Sequence, residues 1–145
     1  MFIRKLVSAI GATLMMVILF SILDRSGIGL FFGMYILPII LIYGIPSSIL
    51  SDFLTRKTDG GKRIAAAALL HVFLGALFVA APTFIFDAED GNWLSSVRNN
   101  GFFFLTATLS AFIYWCFDEM SKSEWFGALK KRFYGILKRI GALRI

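Results

Sequence analysis

From Ile28 to Ser51 the chain runs for twenty-four residues without an Asp, Glu, Lys, Arg or His. Hydrocarbon about 30 Å thick asks roughly 20 residues of an α-helix, so this run is long enough to cross a bilayer. Three further runs follow the same rule. Leu6 to Leu23 and Gly101 to Phe117 are equally free of those residues, and Ile64 to Phe86 contains His71 alone. Backbone groups in lipid must be hydrogen-bonded within their own segment or around a closed barrel, and continuous apolar runs lack the alternation of barrel strands. The chain therefore reads as all-α, a four-helix transmembrane bundle with spans at about 6–23, 28–51, 64–86 and 101–117.

Composition agrees. In 145 residues, 58% are hydrophobic and 17% charged, with a mean hydropathy of +0.77, too apolar for the surface of a small soluble domain. One bundle over 1–120 is expected, followed by a basic tail over 121–145. The first run follows Arg4 and Lys5 as a signal peptide would, but Asp24-Arg25-Ser26-Gly27 offers no small-x-small cleavage site, so it reads as a retained anchor. Those four residues are turn chemistry and join spans one and two into an antiparallel hairpin.

Within span two, Gly29 and Gly33 form a GxxxG that lets a neighbouring helix approach closely. Pro38 and Pro46 each remove a helical hydrogen bond, so kinks are expected there. The connection from Asp52 to Arg63 reads as a solvated loop in which Asp52 and Arg56, four residues apart, pair on one helix face. Between spans three and four, Asp87-Ala-Glu-Asp-Gly-Asn92 resembles a calcium loop only superficially. Its glycine is one position early, and Arg98 stands where the closing glutamate belongs. Span three opens on the small face Ala65 to Ala68, and Tyr114 and Trp115 mark the headgroup level at the end of span four.

Thirteen of the fifteen Lys and Arg fall on one side of such a bundle, and Arg25 and Arg98 fall on the other. The positive-inside rule then places both termini of this multi-pass chain in the cytoplasm. The same asymmetry, with no carboxylate inside any of the four runs, separates it from the dual-topology small multidrug exporters. After Asp118 and Glu119 the tail is basic. Trp125, Phe126, Leu129, Phe133, Ile136, Leu137, Ile140 and Leu143 fall on one arc of a helical wheel, with Lys131, Arg132, Lys138 and Arg139 outside it. This predicts a C-terminal basic amphipathic interfacial helix in which Lys130, Lys131, Arg132, Lys138 and Arg139 contact anionic lipid headgroups at the cytoplasmic face. The basic residues flank spans or line that helix, so lipid explains the net charge of +6 better than nucleic acid.

One histidine, one cysteine (Cys116) and no carboxylate inside a run leave no catalytic, metal-binding or cofactor-binding constellation. Depth singles out a different set. His71 lies about 10 Å along span three from Ile64, and the same distance along the other spans reaches Thr13, Pro46 with Ser47, and Ser110, with Ser48 and Thr106 within a turn of that level. These residues are expected to form a polar layer in which a hydroxyl or a proline-freed carbonyl bonds His71, because an unpaired imidazole in lipid is costly. The bland role of such a layer is packing; the sharp one is proton handling.

The segment Tyr43-Gly44-Ile45-Pro46-Ser47-Ser48-Ile49-Leu50-Ser51-Asp52 resembles a YGxPxSxxSD-like stretch found in a family of small, four-span, uncharacterised membrane proteins of bacilli. What that resemblance implies is a multi-pass plasma-membrane protein with no catalytic or ligand residues to carry over. Two functions fit. The first is a non-enzymatic accessory or regulatory protein that binds a membrane-protein partner, a second copy of itself or lipids; the alternative is a small transporter or channel subunit that uses the layer around His71.

Overall fold

In the computed structural model, which describes residues 2–23, 27–86 and 93–123, the chain is helical and the described residues contain no strand. The elements are α1 (Phe2–Leu23), α2 (Ile28–Ile39), a π-helical turn (Ile40–Gly44), α3 (Ile45–Leu54), α4 (Gly60–Phe86), α5 (Trp93–Asn99) and α6 (Gly101–Met120). Four helices are long and apolar enough to cross a membrane: Phe2–Leu23, Gly29–Leu54, Gly60–Phe86 and Gly101–Met120. The calcium-like segment at 87–92 and the tail beyond Ser123, with its interfacial helix and lipid-contact residues Lys130, Lys131, Arg132, Lys138 and Arg139, lie outside the described residues.

Each helix outruns its apolar stretch by about one turn at the same end. We call this the near end, where α1 begins. The extra turns hold Arg4 and Lys5 on α1, Asp52 on α3, Lys62 and Arg63 on α4, and Asp118 and Glu119 on α6. An α-helix does not stop where hydropathy falls; it stops where its backbone bonds are capped or broken. At α3 this happens past Leu54, where Thr55 turns its N–H and its hydroxyl back to the Ser51 carbonyl at 3.0 and 2.8 Å.

α1 packs between α2 and α6, and α6 packs on α4, so the four spans close into one bundle. The hairpin of α1 and α2 is tight because α2 has no side chain at Gly29 and Gly33. A Cβ on Gly29 would sit 2.9 Å from the Val17 carbonyl oxygen, and one on Gly33 would collide with the Val17 side chain. Gly75 plays the same part between α4 and α6, since a Cβ there would sit 3.0 Å from the Ala107 carbonyl. Close backbone approach substitutes for the hydrophobic effect, which cannot drive helices together in lipid.

Burial follows from the same physics. The inner face of α1 is Lys5, Ser8, Ala9, Ala12, Thr13 and Met16, mostly small or polar, while Val7, Ile10, Leu14, Ile18 and Ile22 point outward. Large aliphatic side chains on the surface and small or polar ones inside suit a bundle whose solvent is hydrocarbon. At the far end Phe20, Phe32 and Phe102 from α1, α2 and α6 meet with ring centroids 4.6 to 6.1 Å apart.

Pro38 sits in the last turn of α2, and the departure from α-geometry lies between the two prolines, at Ile40–Gly44. There the Ile45 N–H reaches back to the Ile40 carbonyl, five residues away. Pro46 has no N–H to continue the ladder, and a π-turn absorbs the mismatch without ending the helix.

Candidate functional site

Two polar features stand inside the bundle, one above the other. The first is at the near end. Lys5 Nζ lies 2.6 Å from Asp52 Oδ2 and 2.8 Å from Asp118 Oδ2, and it also bonds Ser48 Oγ. An ammonium has three donors, and here each has an acceptor. Neither the Lys5 nor the Asp118 side chain is exposed. Arg4 Nε reaches the other Asp118 oxygen at 3.2 Å, while Lys122 Nζ reaches Asp52 at 2.8 Å, Glu119 at 2.8 Å and Asp118 at 3.2 Å. Arg63 pairs with Glu119 at the edge of the cluster. All four spans contribute a charge. Burial works against the Lys122 ammonium, but the hydrogen bonds to Asp52 and Glu119 and the Asp118 charge outweigh it and hold this lysine above its ordinary range.

This cluster overturns two readings of the sequence. Asp52 does not pair with Arg56: α3 ends at Leu54, Arg56 is exposed in the turn beyond, and Asp52 turns inward to Lys5 and Lys122. Nor are the spans free of carboxylates, because Asp118 lies inside α6 and is fully buried. Sequence reasoning missed Lys5, Asp52 and Asp118 as site residues. The available signal was that opposite charges flank the apolar runs within one turn of the same end.

The second feature lies toward the middle of the bundle. The π-turn, α3, α4 and α6 surround a cleft of about 140 Å³ whose walls include Ile40, Tyr43, Ser47, His71, Phe78 and Ser110. Tyr43 braces it by donating a hydrogen bond to the Leu74 carbonyl at 2.9 Å and laying its ring 4.8 Å from that of Phe78. At the rim stand Ile39 and Phe103, both exposed on the outside of the bundle. A second groove of about 350 Å³ shares Phe78, Val79 and Phe103 with the cleft and is lined toward the far end by Pro82, Thr83, Phe86 and Asn100.

Of the layer expected from depth, Ser47, His71 and Ser110 line the cleft. Ser48 instead faces the ion cluster, bonded by Lys5 and 3.3 Å from Asp118. Thr13 is buried and returns its hydroxyl to the Ala9 carbonyl of its own helix at 2.9 Å. None of these hydroxyls bonds His71. The imidazole, 3% exposed, places Nδ1 2.8 Å from the Ala67 carbonyl one turn back. Its Nε2, like Ser110 Oγ, is buried without a hydrogen-bond partner among the described residues. Leaving such an atom unpaired costs about 1–3 kcal/mol. Tyr114 also lines the cleft, its ring centroid 6.1 Å from that of His71 and its hydroxyl likewise buried without a partner among the described residues. Among the described residues no group of three or more His, Cys, Asp and Glu side chains is placed to hold a metal ion.

Comparison with known proteins adds no relative: no family model, no curated protein and no solved structure matches the chain.

Proposed function

We propose that this is a multi-pass plasma-membrane protein with both termini in the cytoplasm, acting as a non-enzymatic accessory or regulatory protein by binding within the membrane. The observation that carries the reading is that the cleft has an exposed apolar rim at Ile39 and Phe103 on the flank of the bundle. The Lys5–Asp118 cluster ties the helices together on the bundle axis at the near end. A transport path asks for polar groups along the axis and charges free to change partners. Here the buried ammonium has all three donors engaged.

The orientation rests on the Lys and Arg bias, which counts residues and not net charge, so the pairing of Arg4, Lys5, Arg63 and Lys122 does not weaken it. The resemblance at Tyr43 to Asp52 fits the same reading, since Tyr43, Ser48 and Asp52 of that segment all make inward contacts. The basic tail beyond Ser123 would add anionic headgroups as partners.

Purified protein in proteoliposomes is expected to pass neither protons nor small solutes under an imposed gradient. A photo-crosslinking residue in place of Phe103 is expected to capture a lipid or a membrane protein in living membranes. A proton or solute flux that His71→Phe abolishes would replace this reading with transport.

A further inference from the structure

His71 Nδ1 sits at hydrogen-bonding distance from a carbonyl oxygen, 2.8 Å from Ala67 O. A carbonyl only accepts, so Nδ1 carries the proton, and in the neutral ring Nε2 is then an acceptor. Any group that completes it must bring an N–H or O–H. Ser110 Oγ, on the facing helix and 8% exposed, both donates and accepts. Three buried polar atoms without partners among the described residues, His71 Nε2, Ser110 Oγ and the Tyr114 hydroxyl oxygen, therefore belong to residues lining one mostly apolar cleft.

Depth restricts what can reach them. His71 is seven residues beyond Ile64, about 10 Å along the helix, and the rim residues Ile39 and Phe103 are apolar. Phosphate, ammonium and carboxylate groups are excluded from such a depth by their hydration. The volume is close to the roughly 150 Å³ that accepts a benzene ring in an apolar cavity. A second groove, which shares Phe78, Val79 and Phe103 with the cleft, runs along Pro82, Thr83 and Phe86 toward the far end.

We propose that the cleft is a binding site for a membrane-dissolved amphiphile whose polar end is a single uncharged hydroxyl. The hydroxyl donates to His71 Nε2 and accepts from Ser110 Oγ, while the apolar body lies along α4 and α6 in the groove. Charged phospholipid headgroups stay at the surface, so the site selects neutral lipid alcohols against the bulk of the bilayer. The assignment rests on the binding reading above and narrows it to one ligand chemistry.

His71 is the only histidine in the chain, so ¹⁵N-histidine labelling reports this one ring. In nanodiscs of phosphatidylcholine, which has no free hydroxyl, titration with 1-dodecanol is expected to move the Nε2 resonance saturably. Dodecane at the same mole fraction should leave it in place. Ser110→Ala, checked for an unchanged helical spectrum and elution volume, should raise the half-saturating mole fraction at least threefold. An Nε2 resonance unmoved by dodecanol, whether bare or already bonded by water, overturns the assignment, as does an equal response to dodecane or an unaltered half-saturation in Ser110→Ala. Those failures leave the flux assay untouched, so loss of the ligand assignment is distinguishable from loss of the binding reading.

Discussion

Lys5 Nζ stands 2.8 Å from Asp118 Oδ2, both side chains shut off from the surface, although 113 residues separate them in the chain. The pair joins the first span to the last. Taking either charge out of water is expensive, and what repays it is the set of neighbours: Ser48 and Asp52 around the ammonium, Arg4 and Lys122 around the carboxylate. Removing one member leaves an uncompensated charge inside. Lys5→Met is expected to destabilise the bundle by about 3–5 kcal/mol, and Asp118→Leu by a similar amount. The double variant should recover much of that loss, because Arg4, Lys122 and Asp52 remain to balance one another. Unfolding in mixed micelles measures all three; singles within about 0.5 kcal/mol of the parent would mean the cluster is solvated.

The contact between α1 and α2 makes a second prediction. Gly33→Leu must push Val17 aside and is expected to cost about 1–3 kcal/mol, with Gly29→Leu similar because it meets Val17 and Ser21 backbone atoms. Gly61→Ala, whose new methyl meets open space, should be close to neutral. Thermal stability read by fluorescence-detected size exclusion separates the two classes, and equal melting for Gly33→Leu and Gly61→Ala would deny the close approach.

Lys122 gives a pH dependence of definite sign. Its folded value lies above the ordinary 10.5, so its contribution is fully present below 10.5 and is lost as pH rises through the folded value. Melting temperature followed from pH 9 to 12 should therefore fall at the alkaline end, and more steeply in the parent than in Lys122→Gln. Parallel curves for the two proteins would show that the charge does not contribute.

Orientation is checked with reporters in the connections. A fusion after Ser95 is expected to report the outside, and fusions after Asp59 and Ile145 the cytoplasm. The opposite result at any one of them breaks the charge-bias argument.

The number, order and approximate length of the spans were legible in the sequence because hydropathy is a property each residue carries wherever it goes. The close approach at Gly29 and Gly33 was legible for a related reason: a missing side chain is missing in every context. What the sequence hid was the direction of the charges one turn beyond each apolar run. Lys5, Asp52 and Asp118 rank as solvated residues on any scale that prices them singly, and Arg56 looked the natural partner of Asp52 because it is four residues away. Burial of a charge depends on its partners, and these partners stand on other helices, 47 and 113 residues from Lys5 in the chain. The cleft was hidden likewise. Depth along each span could align His71 with Ser47 and Ser110, but depth is one coordinate, and the rotation that turned Thr13 onto its own backbone and Ser48 toward Lys5 is set by how the four helices pack.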